Sequence, residues 1–143
     1  SVVLSKPYLT DQPDMIQIDA RTNQKVVGRI QFMKAGSMGK ICLIKVVESH
    51  RKRGIGFELF KTAILELQER GCDTIIWDAI TGPHGNIEEL KSIYTRMVAK
   101  LQEDAPGDFF CGQIHKTSDL QSLLMKFTLK KLNKKMLIGK IKK

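Results

Sequence analysis

The spacing of the apolar residues changes once in the first half of the chain, and this change restricts the fold more than any other feature. Residues 14–20 alternate apolar and polar side chains, while residues 25–33 and 40–47 are rich in β-branched residues. These patterns predict three strands joined by short turns. From Gly54 to Arg70 the apolar residues recur at helical spacing, and Gly71 follows where helices commonly end. The sequence therefore predicts an antiparallel meander followed by a helix.

The rest of the chain continues to alternate strands and helices. We predict a strand at residues 72–80, a helix at 86–101 and a last strand at 108–114. A strand, a helix and a second strand within one sheet imply a right-handed parallel crossover. Ser118 or Asp119 is predicted to cap a C-terminal helix, whose apolar residues are Leu120, Leu123, Leu124 and Phe127. The predicted class is α+β, with a mixed sheet flanked by helices and an extra basic C-terminal helix.

The length of the chain limits the number of domains, and its charge limits the classes of binding partner. The 143 residues correspond to one domain over 1–143, with a core at about 14–115 and a basic helix or tail at about 118–143. The net charge of +9 favours anionic partners: nucleic acid, acidic protein, anionic membrane or a phosphate-rich cofactor. Eight lysines lie between Lys126 and Lys143. This stretch is interpreted either as a polyanion contact or as the solvated face of a packed helix.

Cysteine and histidine usage argues against disulfides and metal sites. The chain has three cysteines and three histidines, scattered along the sequence without a CxxC pair or metal-ligand spacing. Reduced, buried thiols in a cytoplasmic protein are the expected state. The apolar runs are far shorter than the roughly 20 residues that cross a bilayer, so no membrane span is expected.

A basic, glycine-containing loop precedes the first helix, with the sequence Arg51-Lys52-Arg53-Gly54-Ile55-Gly56. Unpaired N–H groups and a partial positive charge at a helix N-terminus bind phosphate oxygens. Glycine lets the backbone approach such a ligand, and arginine adds charge-assisted hydrogen bonds. The loop fits neither the Walker A pattern nor the dinucleotide-binding GxGxxG pattern. Taken alone, it indicates equally a phosphate site or a tight turn with a solvated basic edge.

The surrounding sequence resembles the GNAT superfamily of acetyl-CoA-dependent N-acetyltransferases. Arg51, Gly54 and Gly56 fill the family signature Q/R-x-x-G-x-G/A between a strand and a helix. The segment from Val46 to Phe60 is similar to the family's central motif, although Glu48 replaces a common proline. The resemblance spans about residues 14–100 and includes the helix that carries Tyr94.

The resemblance implies a set of cofactor-binding residues. Backbone groups at the end of the third strand would hold the pantetheine arm of acetyl-CoA, and loop amides would hold its pyrophosphate. Asn86 resembles a CoA-contacting asparagine of the family, shifted by one position, and is alternatively a helix N-cap. The implied cofactor-binding residues are Ile44, Val46, Val47, Arg51, Lys52, Arg53, Gly54, Ile55, Gly56 and Asn86.

The resemblance also implies roles in catalysis. Tyr94 stands where the family often has a tyrosine that protonates the departing CoA thiolate, the alternative being a tyrosine that packs on the sheet. Some members use a glutamate as general base, early in the strand that leads into the glycine-containing loop, but this chain has Lys40 there. Glu48, His50 and Asp78 are the candidate bases, acting through water.

The sequence thus predicts transfer of acetyl from acetyl-CoA to an amine by direct attack. None of Cys42, Cys72 and Cys111 has a histidine partner in the pattern, which argues against a covalent enzyme intermediate. The alternative is a GNAT-like module that binds CoA, nucleic acid or acidic protein with little or no catalysis. The acceptor is a small molecule or a protein. Its pocket is either open or completed by the C-terminal helix or by a second chain, as in a homodimer.

Overall fold

The computed structural model of the chain describes residues 1–23, 25–81, 85–104, 108–116 and 121–128. It divides into two compact units, Ser1–Cys72 and Asp73–Lys143. Both units contain strands and one helix, which confirms the predicted α+β class.

The first unit is an antiparallel meander with one helix. Its elements are β1 (Val3–Leu4), β2 (Tyr8–Leu9), β3 (Ile16–Thr22), β4 (Lys25–Ala35), β5 (Met38–Val46), a 3-10 turn (Glu48–His50) and α1 (Ile55–Glu69). Neighbouring strands β3, β4 and β5 pair antiparallel, with Ile18 opposite Ile30 and Ile30 opposite Ile44. The three predicted strands and the predicted first helix are thereby confirmed, with shifts of a few residues at their ends.

The N-terminal segment forms an edge of the meander that the sequence patterns did not predict. Both β1 and β2 pair antiparallel with β3, placing Leu4 opposite Ala20 and Tyr8 opposite Gln17. Between them, the Ser5 backbone N–H donates to the Asp19 carbonyl at 2.7 Å. Two-residue strands are too short to show an alternating pattern, so only the pairing partner reveals them.

One face of the meander is covered by α1. On β3 and β4 the residues Ile18, Ala20, Ile30 and Phe32 are fully buried. The helix buries its matching stripe at Leu59, Phe60, Ala63, Ile64 and Leu67. Burying each large apolar side chain contributes about 1.5–3 kcal/mol, so this stripe is the main source of stability for the helix.

Gly71 ends α1 as predicted. Its φ of +95° is left-handed, a conformation that glycine adopts without a Cβ clash. The Gly71 N–H donates to the Gln68 carbonyl at 3.0 Å, and the Cys72 N–H donates to the Leu67 carbonyl at 2.9 Å. This pair of bonds is the Schellman arrangement, which satisfies carbonyls that the helix leaves unpaired.

The second unit contains three strands and one helix. Its elements are β6 (Thr74–Thr81), α2 (Ile87–Asp104), β7 (Asp108–Lys116) and β8 (Gln121–Thr128). Strand β8 lies between the other two and pairs antiparallel with both, so that Thr128 faces Thr74 on one side and Asp108 on the other. Strand β6, helix α2 and strand β7 are predicted correctly. Neither α1 nor α2 is long and apolar enough to cross a membrane, as far as the described residues show.

The predicted C-terminal helix is wrong at residues 121–128, which form β8. Short apolar runs are compatible with either a helix or a strand. Here the backbone finds hydrogen-bonding partners on two sides, in β6 and β7, and this tertiary pairing outweighs the local helical spacing. Ser118, Asp119 and the lysine-rich residues 129–143 lie outside the described residues.

Replacing Gly28 with alanine tests the close packing of α1 on β4. An added Cβ would lie 3.2 Å from the Lys45 carbonyl oxygen and 3.4 Å from side-chain atoms of Ile55 and Leu59. We expect Gly28→Ala to lower the free energy of unfolding by about 1–3 kcal/mol through overpacking. Urea denaturation measures the change.

The matched control for this substitution is Gly56→Ala. Its Cβ would meet only Val46 Cγ2 at 3.9 Å, an ordinary contact. Because alanine has the higher helix propensity, this variant is expected to be neutral or slightly stabilised. Equal stability of Gly28→Ala and the native chain would show that the interface has room to spare.

Candidate functional site

The segment between β5 and α1 has an unusual backbone conformation. After the 3-10 turn, both Lys52 and Gly54 are left-handed, with φ of +63° and +80°. Glycine adopts this region readily, but for lysine it costs on the order of 1–3 kcal/mol. Left-handed residues interspersed with ordinary ones turn successive N–H groups toward the same side and form an anion-binding concavity. Lys52 and Gly54 both have this left-handed conformation.

The N–H groups of this loop differ in their hydrogen bonding, because Arg51 donates within the preceding turn and the residues after it do not. Glu58 makes the first hydrogen bond of α1, donating to the Gly54 carbonyl at 3.0 Å, and no side chain caps the helix at Gly54. Within the described part of the chain, the N–H groups of residues 52–56 have no hydrogen-bond acceptor. A helix N-terminus with unpaired N–H groups carries roughly half a positive charge. This arrangement is suited to phosphate oxygens.

The two signature glycines serve different purposes in this loop. Gly54 has a left-handed φ of +80°, and this conformation favours glycine. Packing does not require glycine there, because a Cβ would meet nothing within 4 Å. Gly56 lies in the first turn of α1, where a Cβ would have only an ordinary contact with Val46. Packing within the protein therefore does not explain Gly56. A ligand in front of the helix N-terminus would explain it, and a cofactor-binding role of Gly56 stays a prediction.

Arg51 bonds to the end of β5. Its backbone N–H donates to the Glu48 carbonyl at 3.2 Å, and its side-chain Nε donates to the Val46 carbonyl at 3.0 Å. The Arg51 backbone N–H, which we predicted to bind the diphosphate with the other loop amides, already donates within the turn. The Arg51 guanidinium instead ties the basic loop to the strand, a role that sequence spacing does not reveal.

Backbone groups at the end of β5 point in alternating directions. The Val47 N–H donates to the Val27 carbonyl at 2.8 Å, and the Val47 carbonyl accepts from the His50 N–H at 2.9 Å. Because directions alternate along an antiparallel strand, the backbone groups of Ile44 and Val46 point away from β4. Of the three predicted strand residues, Ile44 and Val46 direct their backbone groups to the side opposite β4, where the Val46 carbonyl accepts from Arg51 Nε. Val47 has its N–H engaged with β4.

Tyr94 lies on α2 and stacks against Trp77 of β6. The two ring centroids are 3.8 Å apart with an interplanar angle of 37°, and Trp77 is buried. Burial raises the pKa of Tyr94 to about 12. The phenol is therefore neutral at any physiological pH and is available as a hydrogen-bond donor rather than as a strong acid.

Asn86 caps α2. Its Oδ1 accepts hydrogen bonds from the backbone N–H groups of Glu88 at 3.0 Å and Glu89 at 3.2 Å. This geometry confirms the N-cap interpretation. A contact with CoA stays a prediction, and it would have to use the Asn86 side-chain NH₂ group.

Sequence comparison matches the residues that form the loop and its flanking elements. A sequence model of the acetyltransferase (GNAT) family matches residues 3–89, more than half of the chain. The chain belongs to the GNAT acetyltransferase family. The resemblance first noted at Arg51, Gly54 and Gly56 is thus confirmed at the level of the family.

Solved structures show that this chain has the GNAT fold. A GNAT acetyltransferase from Elizabethkingia anophelis with acetyl-CoA bound is 14% identical, with a TM-score of 0.65 over 90% of this chain and 98% of that one. A ribosomal-protein alanine N-acetyltransferase from Escherichia coli is 15% identical, with a TM-score of 0.64 over 87% and 75%. An aminoglycoside 6'-N-acetyltransferase complexed with coenzyme A is 18% identical, with a TM-score of 0.62 over 83% and 75%. A comparison with curated proteins gives no significant match.

The candidate general bases of this GNAT chain differ in their surroundings. Glu48 is exposed at the start of the 3-10 turn, and its carbonyl accepts from Arg51. His50 is partly buried, and its Nδ1 shares a hydrogen bond with Ser49 Oγ at 2.9 Å. The Asp78 side chain lies outside the described residues. Glu48 and His50 both stay predictions for the proton acceptor.

The cysteines offer no nucleophile among the described side chains. Cys42 and Cys72 form no disulfide among the described residues, Cys72 is buried, and burial raises the pKa of Cys42. A raised pKa keeps the thiol protonated and poorly nucleophilic. Cys111 falls outside the described side chains. In the part of the chain that is described, no three His, Cys, Asp or Glu residues lie together as metal ligands would.

The predicted site residues fall into two groups. All predicted residues from Ile44 to Gly56 belong to the first unit and lie at the end of β5 or the start of α1. Tyr94 and Asn86 belong to the second unit. Two features beside these residues were not predicted: the left-handed Lys52 backbone, for which no sequence signal exists, and the contact of Trp77 with Tyr94, which is set by the tertiary structure.

A pair of Arg51 substitutions separates its hydrogen bond from its charge. Glutamine places Nε2 at the same number of bonds from the backbone as Arg Nε, so Arg51→Gln can keep the bond to the Val46 carbonyl without the charge. Arg51→Lys keeps the charge but has a methylene at that position. We expect the affinity for CoA to fall about tenfold in Arg51→Lys and about threefold in Arg51→Gln, measured by calorimetry near physiological salt. The reverse order would assign Arg51 a purely electrostatic role.

The raised pKa of Tyr94 predicts a pH dependence of stability. Because the folded-state pKa of about 12 exceeds the unfolded value near 10, the folded chain keeps the phenol proton in this range while the unfolded chain loses it. The free energy of unfolding therefore falls by about 2–3 kcal/mol as the pH rises from about 10 to about 12. Urea denaturation across this range should show a stability loss in the native chain that Tyr94→Phe lacks. In a Tyr8→Phe background, Tyr94 is the sole tyrosine, and its absorbance at 295 nm should change near pH 12.

Proposed function

We propose that this chain is an N-acetyltransferase that transfers the acetyl group of acetyl-CoA directly to an amine. The observation that carries the proposal is the set of N–H groups at residues 52–56, which have no acceptor among the described residues and belong to a loop with left-handed Lys52 and Gly54. Family membership and the acetyl-CoA and CoA complexes among the structural neighbours support it. At these identities the neighbours support a fold, so the activity rests on the loop.

The residues of the loop fit the diphosphate of acetyl-CoA. The amides of Lys52, Arg53, Gly54, Ile55 and Gly56 would receive the phosphate oxygens, and the exposed basic side chains would add charge. The backbone of Ile44 and Val46, directed away from β4, would hold the pantetheine arm. The guanidinium of Arg51 would hold the phosphate loop close to the end of β5 through its hydrogen bond to the Val46 carbonyl.

Acetyl-CoA supplies an activated thioester, and the protein has to manage two protons. The amine must lose a proton before or during attack, for which Glu48 or His50, acting through water, is the proposed acceptor. The departing thiolate of CoA has a pKa of roughly 8.5, about 3–4 units below that of Tyr94. Full proton transfer from Tyr94 to sulfur is therefore unfavourable. We propose that Tyr94 instead donates a hydrogen bond to the sulfur as negative charge develops.

Substitution of Gly56 tests the diphosphate site. Gly56→Glu places an anion in the first turn of α1, where it favours the helix dipole but repels phosphate. We expect this variant to fold with native or greater stability and to lose the rise in melting temperature that acetyl-CoA causes in the native chain. For the native chain this rise corresponds to about 2.7 kcal/mol at 100 times Kd. Differential scanning fluorimetry measures both properties.

The control is Gly56→Gln, which has the same size without the charge. If its ligand-induced shift exceeds that of Gly56→Glu, charge repulsion at the helix start is confirmed as the cause. An unchanged shift in Gly56→Glu would place the diphosphate elsewhere and remove the basis of the proposal.

Turnover separates an enzyme from a binding module. Release of free CoA thiol is measured with small amines and with peptides bearing a free N-terminus or lysine, with Tyr94→Phe alongside. Transfer should require both substrates and should be slower in Tyr94→Phe. Tight acetyl-CoA binding without acetylation of any acceptor class would instead favour a GNAT module that binds CoA without catalysis.

A further inference from the structure

The face of the meander opposite α1 carries a cluster of cationic side chains. Gly28, Ile30 and Phe32 of β4 face the core, so the alternate residues of the same strand face the other way. The register places Arg29 between Asp19 of β3 and Lys45 of β5. We call the four exposed cations on this side the basic face: Arg21, Arg29, Lys40 and Lys45.

The single carboxylate on these strands that faces this side is already occupied. Asp19 is 3% exposed, and its Oδ2 accepts from the Tyr8 hydroxyl at 2.7 Å. Its Oδ1 accepts from Gln17 Nε2 at 2.7 Å, and Arg21 lies 3.6 Å from Oδ2. Within the described part of the chain, Arg29, Lys40 and Lys45 have no ion-pair partner. The positive charge of the basic face is therefore not neutralised by the first unit.

Arg29 and Lys45 occupy directly opposite positions on neighbouring strands. Cβ atoms in such a pair are about 4.5–5.5 Å apart, and like charges there are destabilising. Two carboxylates of a ligand would remove this repulsion. Charge complementarity therefore selects an anionic ligand and disfavours polycationic amines.

The basic face adjoins the proposed cofactor site through the chain itself. Lys45 directly precedes Val46, whose carbonyl is bound by Arg51 at the start of the phosphate loop. An acceptor held by Arg29 and Lys45 would thus have its amine near the strand end proposed to hold the pantetheine arm. We infer that the basic face binds the acceptor, a peptide with carboxylate side chains close to its reactive amine. This inference rests on the proposed function.

A peptide fits this face better than a nucleic acid. The cations lie in short rows across three strands, and the aromatic side chain at its border, Tyr8, has its hydroxyl bound to Asp19. Single-stranded nucleic acid is bound by aromatic residues that stack with successive bases, along a groove that follows many phosphates. Gln31 lies in the adjacent row, where its Nε2 donates to Gln17 Oε1 at 2.8 Å and its second N–H and its Oε1 suit a polypeptide backbone.

Matched peptides and matched variants test the inference. Three fluorescent peptides of equal length and with free N-termini carry glutamate, glutamine or lysine after the first residue. Binding is measured by anisotropy at low and at physiological salt, and acetylation by kcat and KM. The native chain should bind the glutamate peptide at least about tenfold more tightly than the glutamine peptide, with weaker binding at higher salt. The lysine peptide should bind least.

The double variant Arg29→Gln/Lys45→Gln should lose most of the preference for glutamate, through KM rather than kcat. The control is Lys25→Gln/Lys34→Gln, which removes the same charge from exposed positions of β4 paired with Thr22 and Gly39, on the other face. This control should keep the preference. If both variants lose it equally, the effect is one of net charge and the inference is wrong.

Two further results separate this inference from the proposed function. If acetyl-CoA shifts the melting temperature but the three peptides bind alike, the basic face is not the acceptor site and the cofactor site stands. If the glutamate peptide binds through Arg29 and Lys45 but acetyl-CoA causes no shift, the proposed transfer fails and the face remains a peptide-binding surface. Tighter binding of a single-stranded oligonucleotide than of any peptide, dependent on Arg29 and Lys45, would overturn the choice of partner.

Discussion

Close packing of α1 on the meander positions everything else in the first unit. Gly28 allows Ile55 and Leu59 to lie against the backbone of β4, and the buried stripe from Leu59 to Leu67 keeps the helix there. Since the first turn of α1 is part of this contact, its N-terminus is held beside the end of β5. A rigid strand and a rigid helix thus present the loop between them in one conformation, as a preorganised anion site requires.

Two sets of polar groups in the first unit differ in whether they have hydrogen-bond partners, and this difference separates a structural role from a proposed binding role. Asp19 is buried, its carboxylate accepts from the Tyr8 hydroxyl and from Gln17 Nε2, and its backbone N–H donates to Ser5 Oγ. Such complete satisfaction stabilises the edge of the sheet and leaves the carboxylate nothing further to bind. The N–H groups of residues 52–56 have no acceptor in the part of the chain that the structure describes, although the left-handed backbone at Lys52 costs free energy. A strained backbone at Lys52 that gains no hydrogen bond within the protein is explained if the loop N–H groups donate to a ligand.

The chemistry proposed for the chain depends on matching protonation states as well as on shape. Burial beside Trp77 keeps Tyr94 neutral, which suits a hydrogen-bond donor to sulfur and is unsuited to full proton transfer. The residues proposed to accept the proton of the attacking amine are Glu48, which is exposed, and His50, which is partly exposed, so that water can reach both side chains. Positive charge on the basic face would then select the acceptor by its carboxylates and leave the chemical step to the thioester. Binding and chemistry are in this way assigned to different side chains.

The sequence by itself determined the local elements and the phosphate loop. Periodicity alone predicted β3, β4, β5, α1 and α2, because a buried face repeats every second residue in a strand and every third or fourth in a helix. The signature at Arg51, Gly54 and Gly56 could be recognised because it stands between a predicted strand and a predicted helix, as in the family's central motif. Only the tertiary structure decided which residues meet: residues 121–128 became β8 because two strands offered backbone partners. It also set the basic face, since β-bulges at residues 27 and 42 shift the register and so change which side chains share a side. Hydrogen bonds such as that between Arg51 and Val46 join groups whose proximity depends on the turn between them, and no spacing of residue types encodes that turn.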